Sequence, residues 1–333
     1  MKRTKLLCIA LLAALLLPLS SCGGGVKYAA DISGARVGTD IFAYYLDRVA
    51  GDPASFGLTV RGTAADIKNK ALDLCAEYVA VNTLFTRAGL SLDTLEKTAA
   101  AEKTDAEWRL FSAHYEAIGL TKQTITAVET ARARRERLFK SIYDTGGTAA
   151  VLERELETYF AEHYAAVQIV NGYLFTQAED GTQIRMTPAE AEALTKRFQR
   201  IADAVNAGTP LEEAAEDILA RQDGGEQEIG LTVVGSAGSA YPKGFFEAAY
   251  ALKKGRAAVF VPDEAGSDCI YLIVKGDLFL SEETYYSLRG ACLKALKGGD
   301  FEQTLRSFAA TLSVRPDERV VRRVCAAAGV EIV

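Results

Sequence analysis

The spacing of apolar residues in this chain changes period twice, and that constrains the fold more than any single motif does. Between Thr39 and about residue 145 they recur every three or four positions, as in Ile41, Phe42, Tyr45, Leu46 and Val49 and again in Ile67, Ala71, Leu74, Cys75, Tyr78, Val79 and Leu84. That period is helical. Thr39 is expected to cap the first helix, a longer one runs from about Thr63 to Arg87, and Ser91 and Thr121 open two more. The break at Asp144-Thr145-Gly146-Gly147 is followed by a helix opened by Thr148. From Ala166 the pattern turns to strand, with Ala166–Val170 and Tyr173–Phe175 rich in β-branched and aromatic residues. A helix starting at Thr187-Pro188, a short helix after Pro210, a strand at Ile229–Val234 and a helix from about Gly244 to Lys253 follow, the last stopped by Gly255. Strands at Ala257–Val261 and Cys269–Val274 flank a turn at Asp263–Gly266. After Lys275 the helical period returns in two segments, one from Leu280 to Leu296 and one opened near Gly299-Asp300 and marked by Phe301, Leu305, Phe308 and Leu312. Helical ends around a compact mixed middle define an α+β chain.

The first residues carry an export signal: basic Lys2, Arg3 and Lys5, an apolar run from Leu6 to Leu17, and small residues before a cut site. The run is short for a membrane span. Leu19-Ser20-Ser21-Cys22 resembles the bacterial lipobox, which implies that residues 1–21 are a lipoprotein signal peptide and that Cys22 is lipidated and becomes the new N-terminus. Residues 22–26, with Gly23-Gly24-Gly25, then form a flexible leash. Two acyl chains on one cysteine suffice for stable anchoring, so the expected location is the extracytoplasmic face of a cell membrane.

With 333 residues, 49% hydrophobic and 25% charged, the remainder has the make-up of a globular chain of about two domains. The formal net charge is −6 and loss of the signal removes three cations, so nucleic acid is not an expected partner. Of six cysteines, Cys75, Cys269, Cys292 and Cys325 lie beyond the signal and Cys22; they have no framework spacing and read as buried thiols, although an extracytoplasmic site permits three disulfide pairings that the sequence does not rank. No zinc spacing occurs, and neither metal nor cofactor is expected. Gly235–Ser239 reads as a surface loop. Arg132, Arg134, Arg135 and Arg137, interleaved with Glu129 and Glu136, read as a solvated helix face rather than an anion site.

One stretch, Phe245-Phe246-Glu247-Ala248-Ala249-Tyr250-Ala251-Leu252-Lys253-Lys254-Gly255, is similar to the parvulin pattern of Phe, two residues, two alanines, an aromatic and Leu-Lys-x-Gly. An acidic-Gly turn and Tyr271–Lys275 follow at the family's spacing. Upstream, Gly208–Ala215 and Asp223-Gly224-Gly225 are similar to the family's loop, short helix and Gly-Gly turn, and Ile32–Leu46 to its N-terminal chaperone region. The chain thus resembles the parvulin-type foldases of bacterial envelopes, the lipid-anchored PrsA-type and the periplasmic SurA-type. The resemblance implies a mostly helical, discontinuous chaperone lobe with an inserted parvulin-like domain built on a four-stranded antiparallel sheet. It divides the mature chain into an N-terminal helical region at 27–163, the parvulin-like domain at 164–277, and a C-terminal helical region at 278–333 packing on the N-terminal lobe.

In that family two histidines, on the first and last strands of the sheet, line a proline pocket. Placed on this chain, those positions fall on Gly172 and Leu272. The only histidines are His114 and His163, both on expected helices and read as surface or packing residues. What the resemblance leaves of the pocket is an apolar wall, with Phe245 at the family's pocket Phe and Tyr241 where a Met is usual. The implied function is a membrane-anchored chaperone that holds newly exported, unfolded or folding polypeptides, its isomerase activity lost with the histidines. Two alternatives stand beside it: an active parvulin-type prolyl isomerase using displaced residues, and a solute-binding or envelope-assembly lipoprotein. Whether the chain is an enzyme is not fixed by its residues alone.

Overall fold

The structure, a computed structural model, describes residues 28–59, 62–178, 181–219, 229–238, 240–263 and 266–330. The signal 1–21, Cys22 with its leash, the Gly-Gly turn at 223–225, Ser239 and two residues of the 263–266 turn lie outside them. In chain order the elements are β1 (Tyr28–Ile32), β2 (Ala35–Gly38), α1 (Thr39–Gly51), α2 (Ala64–Arg87), α3 (Thr94–Ala117), α4 (Lys122–Tyr143), α5 (Glu153–His163) and β3 (Tyr164–Tyr173). A hairpin of β4 (Phe175–Gln177) and β5 (Gln183–Arg185) follows, then α6 (Pro188–Ala207), α7 (Leu211–Ala214), α8 (Glu216–Leu219), β6 (Thr232–Gly235), α9 (Phe245–Ala251), β7 (Ala257–Phe260) and β8 (Cys269–Lys275). The chain closes with α10 (Glu282–Ala310), β9 (Val314–Pro316) and α11 (Glu318–Ala327).

These elements form two compact units. The first holds the chain up to Lys140 together with the segment from Glu302 on. Its two ends are joined by backbone pairing: β9 lies antiparallel to β1, with Ala30 opposite Pro316 and Ile32 opposite Val314. Asp317 donates its amide to Ala29 at 2.9 Å. β2 completes the sheet after a tight turn in which Ser33 and Gly34 take φ of 50° and 90°. Ala29, Ile32, Phe42, Leu46, Cys75, Ala80, Ile125, Val321 and Cys325 are fully buried in one core, so residues from both ends of the chain share it.

Several helix starts differ from those read in the sequence. Thr39 is already helical, because β2 runs into α1 with Gly38 at the cap and no side-chain bond. α3 is opened by Asp93, whose carboxylate accepts the Glu96 amide at 2.8 Å while Glu96 accepts from the Asp93 amide at 2.9 Å; the reciprocal bonds displace the expected start from Ser91. α5 begins at Glu153 rather than at Thr148, since the intervening residues are held in a turn by Ala149 N–H donating to Ile142 O at 2.7 Å. The two C-terminal helices are one: α10 passes through Gly298-Gly299 without a break. Each glycine costs about 1 kcal/mol against alanine in a helix, but Leu293, Phe301 and Leu305 are buried on either side and carry the helix across.

The arginines of α4 are inter-helix ties, which corrects the reading of a solvated face. Arg132 donates to Tyr44 of α1 at 2.8 Å and pairs with Glu129, itself buried. Arg134 donates to Asn82 and lies over the Phe85 ring, both on α2. Arg135 bonds Glu302 of α10, and Arg137 approaches Glu96 of α3 at 3.7 Å. The interleaved pattern in sequence conceals that each guanidinium finds its partner on a different helix.

The second unit runs from Ser141 to Phe301, wider on both sides than 164–277. Arg289 explains the extension. It forks onto Glu153 at 2.9 and 3.0 Å and reaches Asp144 at 2.7 Å and Thr145 at 3.0 Å, binding the start of α10 to α5 and the turn before it. Phe160 packs edge-on against Phe279 and Tyr285 at 5.5 and 5.3 Å beside that fork. The Arg289 bonds hold the Glu153 carboxyl below its ordinary value. A depressed carboxylate contributes stability above its unfolded pKa that is lost as pH falls through the folded one. Arg289→Gln is therefore expected to lower unfolding stability by at most about 1 kcal/mol near neutral pH, since the exposure of Glu153 screens the fork, with the deficit shrinking as pH drops below the carboxylate range. Urea unfolding at several pH values checks both; a deficit independent of pH contradicts the assigned fork.

Candidate functional site: an aromatic face on a four-stranded sheet

The second unit is organised by an antiparallel sheet of order β6-β3-β8-β7. β3 and β8 are its centre, paired from Val167 opposite Lys275 to Tyr173 opposite Cys269. Side chains alternate across a strand, so this register assigns every residue to one of two faces. Val170, Ile270, Leu272 and Val274 pack with Phe198, Ile201, Ala202 and Val205 of α6. Ala165, Val167 and Ile273 pack with Phe245 and Ala249 of α9, joined by Tyr241, Phe260 and Tyr271.

The four residues singled out in the sequence are divided between these faces. Gly172 pairs with Ile270, while Leu272 pairs with Val170, so the two are diagonal neighbours and do not stand opposite each other. Both lie on the α6 side. Leu272 is fully buried there. At Gly172 a Cβ would sit 2.7 Å from Ile270 Cγ1 and 2.7 Å from Phe198 Cζ, so the position is closed by packing and has no room for an imidazole. Tyr241 and Phe245 are on the opposite face, in contact with each other. The placement of Gly172 and Leu272 in a shared pocket with Phe245 is thus corrected by strand sidedness.

What the α9 side does assemble is an aromatic cluster. Tyr241 stacks on Phe245 with ring centroids 4.3 Å apart and 13° between planes. Phe245 meets Phe260 and Tyr271 edge-on at 5.5 and 5.2 Å, and Tyr271 also meets Tyr241 edge-on at 5.9 Å. Such edge and offset geometries are those favoured by the ring quadrupoles. Phe245 is fully buried, whereas Tyr241, Phe260 and Tyr271 keep part of their surface in solvent. Gly244, with φ of 86°, turns the chain into α9 and delivers Phe245 to the sheet; the left-handed conformation favours glycine there. Tyr271 and Phe260, paired across β7 and β8, were not singled out in the sequence. The signal for them was the alternation from Cys269 to Lys275, usable only once the face of Phe245 is known.

The phenols and the thiol of the cluster are neutral, and Lys275, on the same side of β8, donates to Ala249 O of α9 at 3.1 Å. Burial pushes the Tyr271 phenol up to about 12, with neighbouring Cys269 adding to the shift. Burial likewise raises the Tyr241 phenol and the Cys269 thiol. Near pH 7 these groups are protonated, so the face offers rings and hydroxyl donors but neither an anion nor a general base. Both histidines are elsewhere. His114 on α3 meets Asp47 at 2.9 Å, and His163 ends α5, stacked on Tyr159 at 4.0 Å with Nδ1 3.0 Å from Ser236 Oγ. Cys75, Cys269, Cys292 and Cys325 are free, buried thiols. Among the described residues no group of three acidic, His or Cys side chains is placed to hold a metal, and no helix is long and apolar enough to cross a membrane.

No protein-family model matches the chain, and no curated protein matches its sequence. Among solved structures it is similar to the foldase PrsA of Streptococcus pneumoniae, at 14% identity over 90% of this chain and 92% of that one, with a TM-score of 0.39. PrsA of Lactococcus lactis matches at 12% identity over 91% and 99% of the two chains, with a TM-score of 0.39. A SurA-like chaperone of Campylobacter jejuni matches at 11% over 88% and 99%, with a TM-score of 0.30. The chain resembles the PrsA-type foldases and SurA-like chaperones. The likeness is one of chain path and α+β architecture.

The closed packing at Gly172 has a measurable consequence. Gly172→Ala is expected to destabilise the protein by about 1–3 kcal/mol through overpacking against Phe198 and Ile270. Chemical denaturation reads it, and Phe198→Leu in the same chain should recover part of the loss by opening space. A neutral Gly172→Ala would mean that the position is roomy after all.

Proposed function

We propose that this chain is a membrane-tethered extracytoplasmic holdase for newly exported polypeptides, with an isomerase-like unit that no longer isomerises. The observation that carries the reading is the aromatic face of the second unit: Tyr241, Phe245, Phe260 and Tyr271 form an apolar wall whose polar groups are neutral, with both histidines outside it. Such a wall suits weak contact with proline and other apolar side chains. Lowering the roughly 20 kcal/mol barrier of a prolyl bond demands polar groups that stabilise the twisted amide, and the polar groups at hand are two raised phenols, a raised thiol and the Lys275 amine, which is already held by the Ala249 carbonyl.

The first unit supports holding rather than turnover. α3 leaves Leu95, Leu110 and Phe111 80%, 74% and 48% exposed, a cost in water that a client chain offsets when it covers them. Phe111 borders a surface cavity of about 340 Å³ shared with Asp47, Arg48, Phe56, His114 and Tyr115, so apolar and charged groups lie side by side there. The lipid on Cys22 and its glycine leash would raise the local concentration of this surface where exported chains emerge.

Light scattering by a reduced, unfolded secretory protein tests the reading. The mature chain at equimolar amount is expected to slow aggregation, and Leu110→Ser with Phe111→Ser to weaken that effect by about two- to fivefold, as loss of apolar hot spots does. Unchanged scattering in the presence of the unaltered chain would sink the holdase assignment.

A further inference from the structure

The exposed face of α11 is lined by Arg319, Arg322 and Arg323, spaced so that they are neighbours on one side of the helix, while Val321 and Cys325 bury the other side against the core. Like charges at these spacings repel, and no acid stands between them. None of the three has an ion-pair partner among the described residues. Two more exposed arginines stand on the sheet whose last strand leads into α11. Arg36 on β2 and Arg315 on β9 stand on either side of Asp31 in the sheet register and line one surface cavity with Tyr28 and Asp317, the residue that caps α11. Three acids stand nearby and offset part of this charge: Asp317 accepts the amides of Arg319 and Val320, Asp31 accepts that of Gly34, and Glu318 faces Lys68 at 3.7 Å. A chain with net charge −6 thus carries, on α11 and on the sheet that leads into it, five exposed guanidiniums against three nearby carboxylates, with no ion pair to any of the five among the described residues.

That sheet is where the chain enters the first unit. Tyr28 is the first described residue, and the stretch from Cys22 to Tyr28 spans at most about 20 Å when extended. We infer that the arginine face of α11, with Arg36 and Arg315, docks on the anionic phosphate surface of the membrane and sets how the first unit is presented above it. The inference rests on lipidation of Cys22 for proximity, but the charge pattern is independent of it. The rest of the chain is net acidic, which disfavours contact elsewhere with the same surface. Attraction of this kind acts only within about a Debye length, roughly 10 Å, a range that so short a leash allows.

The test is arginine modification by phenylglyoxal, mapped by mass spectrometry, on the full lipidated chain bound to vesicles. One set is phosphatidylcholine alone and the other contains about one third phosphatidylglycerol. Over anionic vesicles the rates at Arg319, Arg322 and Arg323 are expected to fall about three- to tenfold relative to neutral ones and to recover in high salt, as polybasic contacts do. Retention of the effect by Arg319→Lys with Arg322→Lys, read at Arg323, and its loss in Arg319→Gln with Arg322→Gln, would identify charge as its origin. Equal rates on both vesicles overturn the inference, as does protection by a soluble polyanion with none by anionic vesicles, which would assign the patch to a polymer. Flotation with neutral vesicles reads the lipid anchor separately. A chain that fails to float there counts against the anchor, while the anionic arm still decides the patch.

Discussion

The ladder between β3 and β8 governs the second unit. Seven residue pairs, from Val167 with Lys275 to Tyr173 with Cys269, fix which side chains meet α6 and which meet α9. A shift of one residue would exchange the two sets and bury Tyr271 under Phe198 in place of Leu272. The register is held because both faces carry a core: Leu272 and Ile273, adjacent in sequence, point in opposite directions and are each buried completely. The composition of the aromatic face and the closure at Gly172 both follow from this one alignment.

In the first unit the corresponding constraint is the joining of the chain's ends. A three-residue strand is a weak element alone, but β9 sets Pro316 and Val314 beside Ala30 and Ile32 and brings α11 onto the same core. The arginines of α4 then connect α1, α2, α3 and α10. Pairs as exposed as that between Arg137 and Glu96 are worth about 0–1 kcal/mol each, so their contribution lies in selecting partners more than in stability. Apolar burial supplies the driving force, and the guanidiniums determine which helix sits beside which.

Much of this architecture was legible in the sequence because it rests on period. The helices α1, α2 and α4, the strands β3, β7 and β8, and the segregation of an α+β middle from helical ends follow from apolar spacing and turn residues. What escaped depended on pairing between distant residues. β9 is three residues long and has no local signature; it is a strand because β1 is there. Gly298-Gly299 reads as a break, yet buried neighbours on both sides hold α10 together. The site was legible in part: Tyr241 and Phe245, picked out by sequence as an apolar wall, stack on each other just before and at the start of α9. Gly172 and Leu272 fell on the other face because sidedness depends on a register that the chain fixes only when folded. Tyr271 and Phe260 were overlooked for the same reason.

The central claim is a wall that touches proline without turning it. Exchange spectroscopy by NMR on a short peptide with an X-Pro bond separates the two, since contact shifts peptide resonances while isomerisation generates exchange between the cis and trans signals. With the mature chain present, the account predicts shifts in the peptide that are lost in Tyr241→Ala and Phe260→Ala, and a cis/trans exchange rate equal to that of the free peptide. An exchange rate that rises with protein concentration and falls when Tyr271 or Cys269 is replaced would contradict it and make the aromatic face a working isomerase.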